Sequence, residues 1–337
     1  MIRYPVLRPG MTVGVTAPSS GLEPQHHIFM QLAVERMERE GYKMIVGSTV
    51  WSQQEAKSAL AAERAEELNR MLKGEDTDLL IPPWGGELLI ELIDAVDYGQ
   101  LPLKWILGYS DISVLLLAVT LKTGMATAHG TNLVDLRSRE WDDVTARWQD
   151  VLSTPAGGEV RQHSSRQYQK EWSRELPPEQ VFLFTENTEW KCVSGTESEV
   201  EGRLLCGCID VIRHLIGTPY GGVQGFREQH IPGEPVLWVL ENCELSTADL
   251  RRSLMQMRLA GWFDNCAGVL FGRSPANHPV NGYTALHVYE ELENELGVPV
   301  IYDIDCGHVP PQLTFINGAW AKFKISGGAA EVLQRFV

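Results

Sequence analysis

Short β-rich runs alternate with amphipathic stretches through the first half of the chain, and this rhythm constrains the fold more than any other feature. Thr12–Ala17, Lys43–Gly47, Leu79–Ile81 and Trp105–Leu107 predict strands, with Met125–Ala128 as a fifth. The intervening segments at about 24–40, 55–73, 88–96 and 112–122 predict helices, followed by one more at about 141–152. Gly41 and Gly124 stand where a helix favours a left-handed terminal residue. Strands that alternate with helices assemble into a parallel sheet covered on both faces. The expected fold class is therefore α/β, with a flavodoxin- or Rossmann-like N-terminal sheet.

The pattern changes after residue 155. Gly157-Gly158, Pro177-Pro178 and a polar run from Arg161 to Arg174 read as a connection. Three segments are expected: an N-terminal α/β domain over 1–160, a linker over 161–180 and a mixed α/β C-terminal domain over 181–337. In the last of these, 200–205, 236–240, 267–271 and 298–302 predict strands. Helices are expected near 209–215, 247–260 and 284–296, and Ser246 to Asp249 has the form of a capping box. Asn317-Gly318 is a two-residue turn signal and predicts a closing hairpin of 314–316 with 320–325. The 337 residues suit two domains, each large enough to bury a core. Trp141, Trp148 and Trp172 are expected to pack around the domain connection.

Composition excludes several functions. With 29 Lys and Arg against 44 Asp and Glu, the formal charge of −15 argues against nucleic-acid binding, which depends on cationic contacts. Met1 to Gly21 lacks the pattern of a signal peptide, and no apolar run is long enough for a bilayer, so a cytoplasmic protein without membrane contact is expected. Six cysteines are too sparse for a disulfide scaffold. Cys206-Gly207-Cys208 and Cys306-Gly307-His308 lack the common spacing of zinc ligands, so buried reduced thiols and no metal are expected.

Ligands of open parallel sheets bind beyond the carboxyl ends of the strands. Three chemically useful side chains fall there. Ser110, in Gly108-Tyr109-Ser110-Asp111-Ile112, lies at a strand-to-helix junction, as in a nucleophile elbow, although Ile112 replaces the second glycine. An ordinary βα turn with an aspartate cap is the alternative. The Asp111 amide opens the helix beside the serine, and Gly86 on the neighbouring loop offers a second amide for an oxyanion. Glu241 directly follows an apolar strand, and His308 lies a few residues past another. Jointly the three fit a triad in which His308 takes the Ser110 proton and Glu241 orients the imidazole. His129 falls at the same sheet edge and is a candidate for the pocket wall, whereas His26-His27 reads as the exposed start of the first helix.

These residues resemble the S66 serine peptidases, a family that spans the LD-carboxypeptidases of peptidoglycan recycling and the microcin C immunity proteins. The matching pieces are Val15 to Ser19, Gly85-Gly86, Gly108 to Asp111, Gly202 to Leu205 with Gly217 to Tyr220, Leu240 to Glu244, and Gly307-His308. The resemblance implies a Ser110–His308–Glu241 triad, an oxyanion hole from the Gly86 and Asp111 amides, a homodimer and no cofactor. Length and the polar segment before the second domain look more like the immunity branch, whose substrate is a peptidyl-nucleotide cleaved at a terminal acidic residue; murein tetrapeptide is the alternative. In that branch an aromatic residue stacks on the base, which makes Trp190 the candidate here. Trp84 and Glu87 depart from either branch around Gly85-Gly86 and are expected to shape the substrate site. A nucleotide- or sugar-binding module without chemistry is the reading from a different class.

Overall fold

The computed structural model describes residues 1–99, 101–171 and 177–337; Trp172 lies outside these. In chain order the first region holds β1 (Thr12–Val15), α1 (His27–Arg39), β2 (Lys43–Val46), α2 (Ala61–Lys73), β3 (Leu79–Ile81), β4 (Trp105–Gly108), α3 (Ser113–Thr123), β5 (Thr127–His129) and α4 (Arg147–Leu152). Then come β6 (Glu159–His163), β7 (Gln167–Tyr168), β8 (Glu186–Asn187), β9 (Lys191–Cys192), β10 (Glu197–Cys208), α5 (Ile209–Ile212), α6 (Val223–His230), β11 (Val236–Glu241), α7 (Thr247–Leu259) and β12 (Cys266–Gly272). The chain closes with α8 (Ala285–Leu296), β13 (Val300–Ile304), β14 (Phe315–Asn317), β15 (Trp320–Ser326) and β16 (Ala329–Arg335).

The first sheet runs β2-β1-β3-β4-β5, all parallel, with β14 added antiparallel to β5. This is the doubly wound α/β order expected from the alternating pattern. β1 is flanked by β2 and β3, so the strand order reverses there, and the loops after β1 and β3 diverge to leave a crevice. α1 buries Met30, Ala33 and Met37 at helical spacing, whereas α3 is buried along almost its whole length and packs between the two sheets, touching both β5 and β10. Gly124 ends α3 in the left-handed region at φ 66°.

The second sheet has eight strands in the order β6-β16-β15-β10-β11-β12-β13-β9. Its parallel centre, β10 to β13, is bordered by antiparallel strands, which gives the mixed domain expected. α7 starts as its capping signal requires, Ser246 accepting from the Asp249 amide.

Three expectations give way to tertiary pairing. β6 crosses the expected boundary at residue 160 and serves as the edge of the second sheet, and β7 pairs with β8, so much of the segment expected as linker is built into structure. Asn317-Gly318 does not turn a hairpin. β14 leaves for the first sheet while β15 pairs with β10 and β16, the true hairpin turning at Gly327-Gly328. The reason is local chemistry: Asn317 Oδ1 accepts the Cys206 amide and its Nδ2 donates to Thr127 Oγ1, joining the two sheets. The helix expected at 88–96 shortens to a 3-10 turn, Leu89–Leu92. No cysteine forms a disulfide, and Cys206, Cys208 and Cys306 are buried.

Candidate active site

Ser110 sits where β4 turns into α3, with φ 65°, a left-handed conformation that a serine adopts only when its surroundings impose it. The turn lifts the hydroxyl above the sheet edge. Gly85 faces it: a methyl group there would lie 2.6 Å from Ser110 Oγ and 3.3 Å from the Asp111 amide nitrogen. Gly86 has φ 144° and no room for a side chain, because a Cβ would fall 2.4 Å from the hydroxyls of Ser19 and Ser20. Gly85 is thus demanded by close approach to the serine turn, and Gly86 by close approach to the loop after β1.

The second domain supplies the partners. His308 Nε2 lies 3.0 Å from Ser110 Oγ, and its Nδ1 lies 2.6 Å from Glu241 Oε2. Gly307 makes this approach possible, since a Cβ there would collide with the Glu241 carboxylate at 2.0 Å. Glu241 is fully buried at the end of β11. Its Oε1 accepts the Ser110 amide at 3.4 Å and has His129 Nε2 at 3.3 Å, the latter outside hydrogen-bond alignment.

Electrostatics follow from this placement. Burial would raise the Glu241 pKa, but the charge of His308 and the contacts with His129 and His308 outweigh it and hold the carboxyl below its usual range. Burial would likewise lower the His308 pKa, yet the Glu241 charge and the bonds to Cys243 and Glu241 carry it well above that of an ordinary imidazole. With Glu241 ionised, neutral His308 keeps its proton on Nδ1 and leaves Nε2 to accept from Ser110. This is the geometry of a hydroxyl activated by an oriented base.

A cleft of about 350 Å³ opens over the serine, within the size range of small-molecule sites. Trp84, Gly85, Gly86, Tyr109, Ser110 and His308 line it, with Ser20, Glu23, His26, Gln53 and Asn132 at the sides. Trp84 is anchored by its Nε1 donating to Gly21 O at 2.9 Å, and His26 packs edge-on against it at 5.4 Å. His26 therefore belongs to the cleft rather than to an exposed helix start. Gln53 and Ser20 escaped the sequence reading because each lies on a loop with no motif of its own, and Asn132 because its local signal is that of a capping box with Asp135. The described lining contains no lysine or arginine.

The other expected residues are placed elsewhere. Glu87 is exposed beside Gly86 and is not part of the cleft lining. His129 is fully buried behind Glu241, where it adds a neighbour to the carboxylate instead of lining the pocket. Trp190 is 1 % exposed in the second core, tilted against Phe323, and its Nε1 donates to Asp305 at 2.9 Å. A ring enclosed in this way offers no free face to a substrate, so the expected stacking role does not hold.

Two family models match the chain: the LD-carboxypeptidase N-terminal domain over residues 13–130 and the LD-carboxypeptidase C-terminal domain over residues 201–323. The chain belongs to the S66 peptidase family. Like other S66 members it is a serine-type carboxypeptidase. It is 24% identical over 300 residues to the Microcin C7 self-immunity protein MccF of Escherichia coli, covering 85% of this chain and 82% of that one. It is also 24% identical over 323 residues to a Bacillus subtilis protein described as a probable murein peptide carboxypeptidase, covering 94% and 89%. A solved structure of MccF in complex with aspartyl sulfamoyl adenosine superposes with a TM-score of 0.81 at 20% identity over 100% of both chains. The C-terminal match includes β14, which joins the first sheet, and the cleft takes Ser110 from the N-terminal match and His308 from the C-terminal one.

Proposed function

We propose that this S66 carboxypeptidase cleaves its amide substrate with a Ser110–His308–Glu241 triad. The observation that carries the reading is the unbroken hydrogen-bonded series from Ser110 Oγ through both nitrogens of His308 to buried Glu241. Ser110 Oγ attacks the carbonyl carbon while His308 Nε2 takes its proton, and the carbonyl oxygen, now an anion, is met by the Gly86 and Asp111 amides. Collapse of this adduct breaks the C–N bond, His308 returns the proton to the departing nitrogen, and an acyl-Ser110 ester remains. Water then repeats the sequence, His308 acting first as base and then as acid, and frees the acid and the enzyme. Glu241 stabilises the imidazolium in both halves.

The substrate is an amide joining a C-terminal acidic residue to a modified nucleotide, a peptidyl-nucleotide of the microcin C type, and cleavage detoxifies it. Similarity to MccF across nearly the whole chain supports this class. Without a lysine or arginine in the described lining, the anionic part of the substrate is held by neutral donors such as Ser20, Gln53 and Asn132. The murein tetrapeptide is the second reading, favoured by equal identity to the Bacillus subtilis relative. Incubating the enzyme with aspartyl sulfamoyl adenosine analogues and with murein tetrapeptide side by side, with mass-spectrometric detection of products, separates them. Release of the nucleotide half alone supports the first; release of D-alanine alone replaces it with the second. The active form is a cytoplasmic homodimer, checked by light scattering of the purified chain.

A further inference from the structure

Two buried charged residues outside the triad reach the same pair of loops. Arg64, on the first turn of α2, is fully buried. Its Nη1 donates to Pro18 O at 2.8 Å, on the loop after β1, and to Leu88 O at 3.0 Å, on the loop after β3. Its Nε donates to Ala59 O at 3.0 Å, and its Nη2 pairs with Glu91 at 2.5 Å. Asp111 approaches from the opposite side: its Oδ2 accepts Ser19 Oγ at 2.5 Å from the first loop and the Leu89 amide at 2.8 Å from the second. Between these ties, Ser20 N donates to Gly85 O at 3.2 Å, and Gly86 sits hard against the hydroxyls of Ser19 and Ser20.

We propose that Arg64 and the Asp111 carboxylate form a clamp across the β1 and β3 loops, and that the clamp positions the Gly86 amide for the oxyanion. The inference rests on the triad reading above, because it assigns these residues to the same reaction as positioning residues. An oxyanion donor is effective only if it is aimed before charge develops, and misplacement by ~1 Å costs on the order of 10²-fold in rate. The loops after β1 and β3 diverge at the switch point of the sheet, so strand pairing does not hold them together. Burying an arginine and a carboxylate is costly. Here each is satisfied chiefly by groups on those two loops.

The charge environment of Asp111 agrees with this role. Burial raises its pKa to about 6, against the hydrogen bonds from Ser19 and Leu89; Glu87 raises it further and Arg64 lowers it. Glu91, held by Lys57 and Arg64, completes the charged set around the clamp. Asp111→Asn copies the protonated state and keeps the backbone amide.

The test uses the full chain and two measurements. The first is the rate at which an alkyl fluorophosphonate labels Ser110, followed by intact mass across pH. Asp111→Asn and Ser19→Ala are expected to slow labelling at least tenfold on the alkaline plateau of the pH curve, where His308 is neutral in every variant. Arg64→Gln is expected to do the same, and Ser19→Ala carries the test if Arg64→Gln does not fold. The second measurement is hydrogen exchange over residues 17–22 and 84–92, which should be faster in each variant. Wild-type exchange in folded Asp111→Asn and Ser19→Ala, or wild-type labelling rates in both, overturns the clamp. Faster exchange together with a wild type that does not label at Ser110 contradicts the triad reading and leaves the clamp as a tie between loops.

Discussion

Glu241 touches Ser110 directly: one carboxylate oxygen accepts the serine's backbone amide at 3.4 Å while the other holds His308 Nδ1 at 2.6 Å. The residue that orients the base is thereby also attached to the turn that carries the nucleophile, across 131 positions of sequence. Moving one domain against the other would break this contact to the Ser110 amide together with that of His308 Nε2 to Ser110 Oγ, which is why neither half is expected to hydrolyse substrate alone.

Glu241→Gln keeps the shape of the side chain and removes its charge. The imidazolium loses its counter-charge and the tautomer of His308 is no longer enforced, so kcat is expected to fall by about 10³–10⁴. Steady-state kinetics on the folded variant check this, and a loss under tenfold would argue against the orienting role.

The pH dependence has a defined sign. His308 acts as base only when neutral, and its pKa is raised in the folded protein, where the Glu241 charge and the bonds to Glu241 and Cys243 outweigh burial. Activity should therefore rise with pH through a midpoint above ~6.5, the ordinary imidazole value. In Glu241→Gln the main raising influence is gone and the midpoint should move to lower pH. A plot of kcat/KM against pH for both proteins checks it.

Trp84 and Trp190 should separate cleanly. Trp190→Ala empties a packed site in the second core and should cost about 3–5 kcal/mol of stability, with kcat/KM per folded molecule unchanged within about threefold. Trp84→Ala should instead raise KM, because this ring lines the cleft. Denaturant melts and kinetics on the two variants provide the comparison.

Asn317→Ala removes the acceptor of the Cys206 amide and the donor to Thr127, both in the seam between the sheets. A buried N–H left unpaired costs about 1–3 kcal/mol. Chemical denaturation is expected to show that loss.

Much of the candidate site was legible because its residues lie at strand ends. A serine after one apolar run, a glutamate after another and a histidine past a third can be located by period and turn signals alone, and α/β topology collects strand ends on one edge. What escaped depends on partners that local sequence does not name. Trp190, between Glu189 and Lys191, has no pattern that distinguishes an enclosed ring from a free one. Asn317-Gly318 is a genuine turn signal, yet the strand before it pairs with β5, far away in sequence. No local pattern singles out Arg64, whose burial follows from carbonyls on two remote loops. His26 looks exposed until Trp84 is seen beside it.

The central claim is an acyl-enzyme on Ser110. Quenching a turnover reaction and measuring the intact mass, then digesting to the peptide that contains residue 110, tests it directly. The wild type should carry the acyl half of the substrate on Ser110, and Ser110→Ala should bind substrate, form no adduct and turn over at least ~10³-fold more slowly. Undiminished turnover by Ser110→Ala, or an adduct on a different residue, would contradict it.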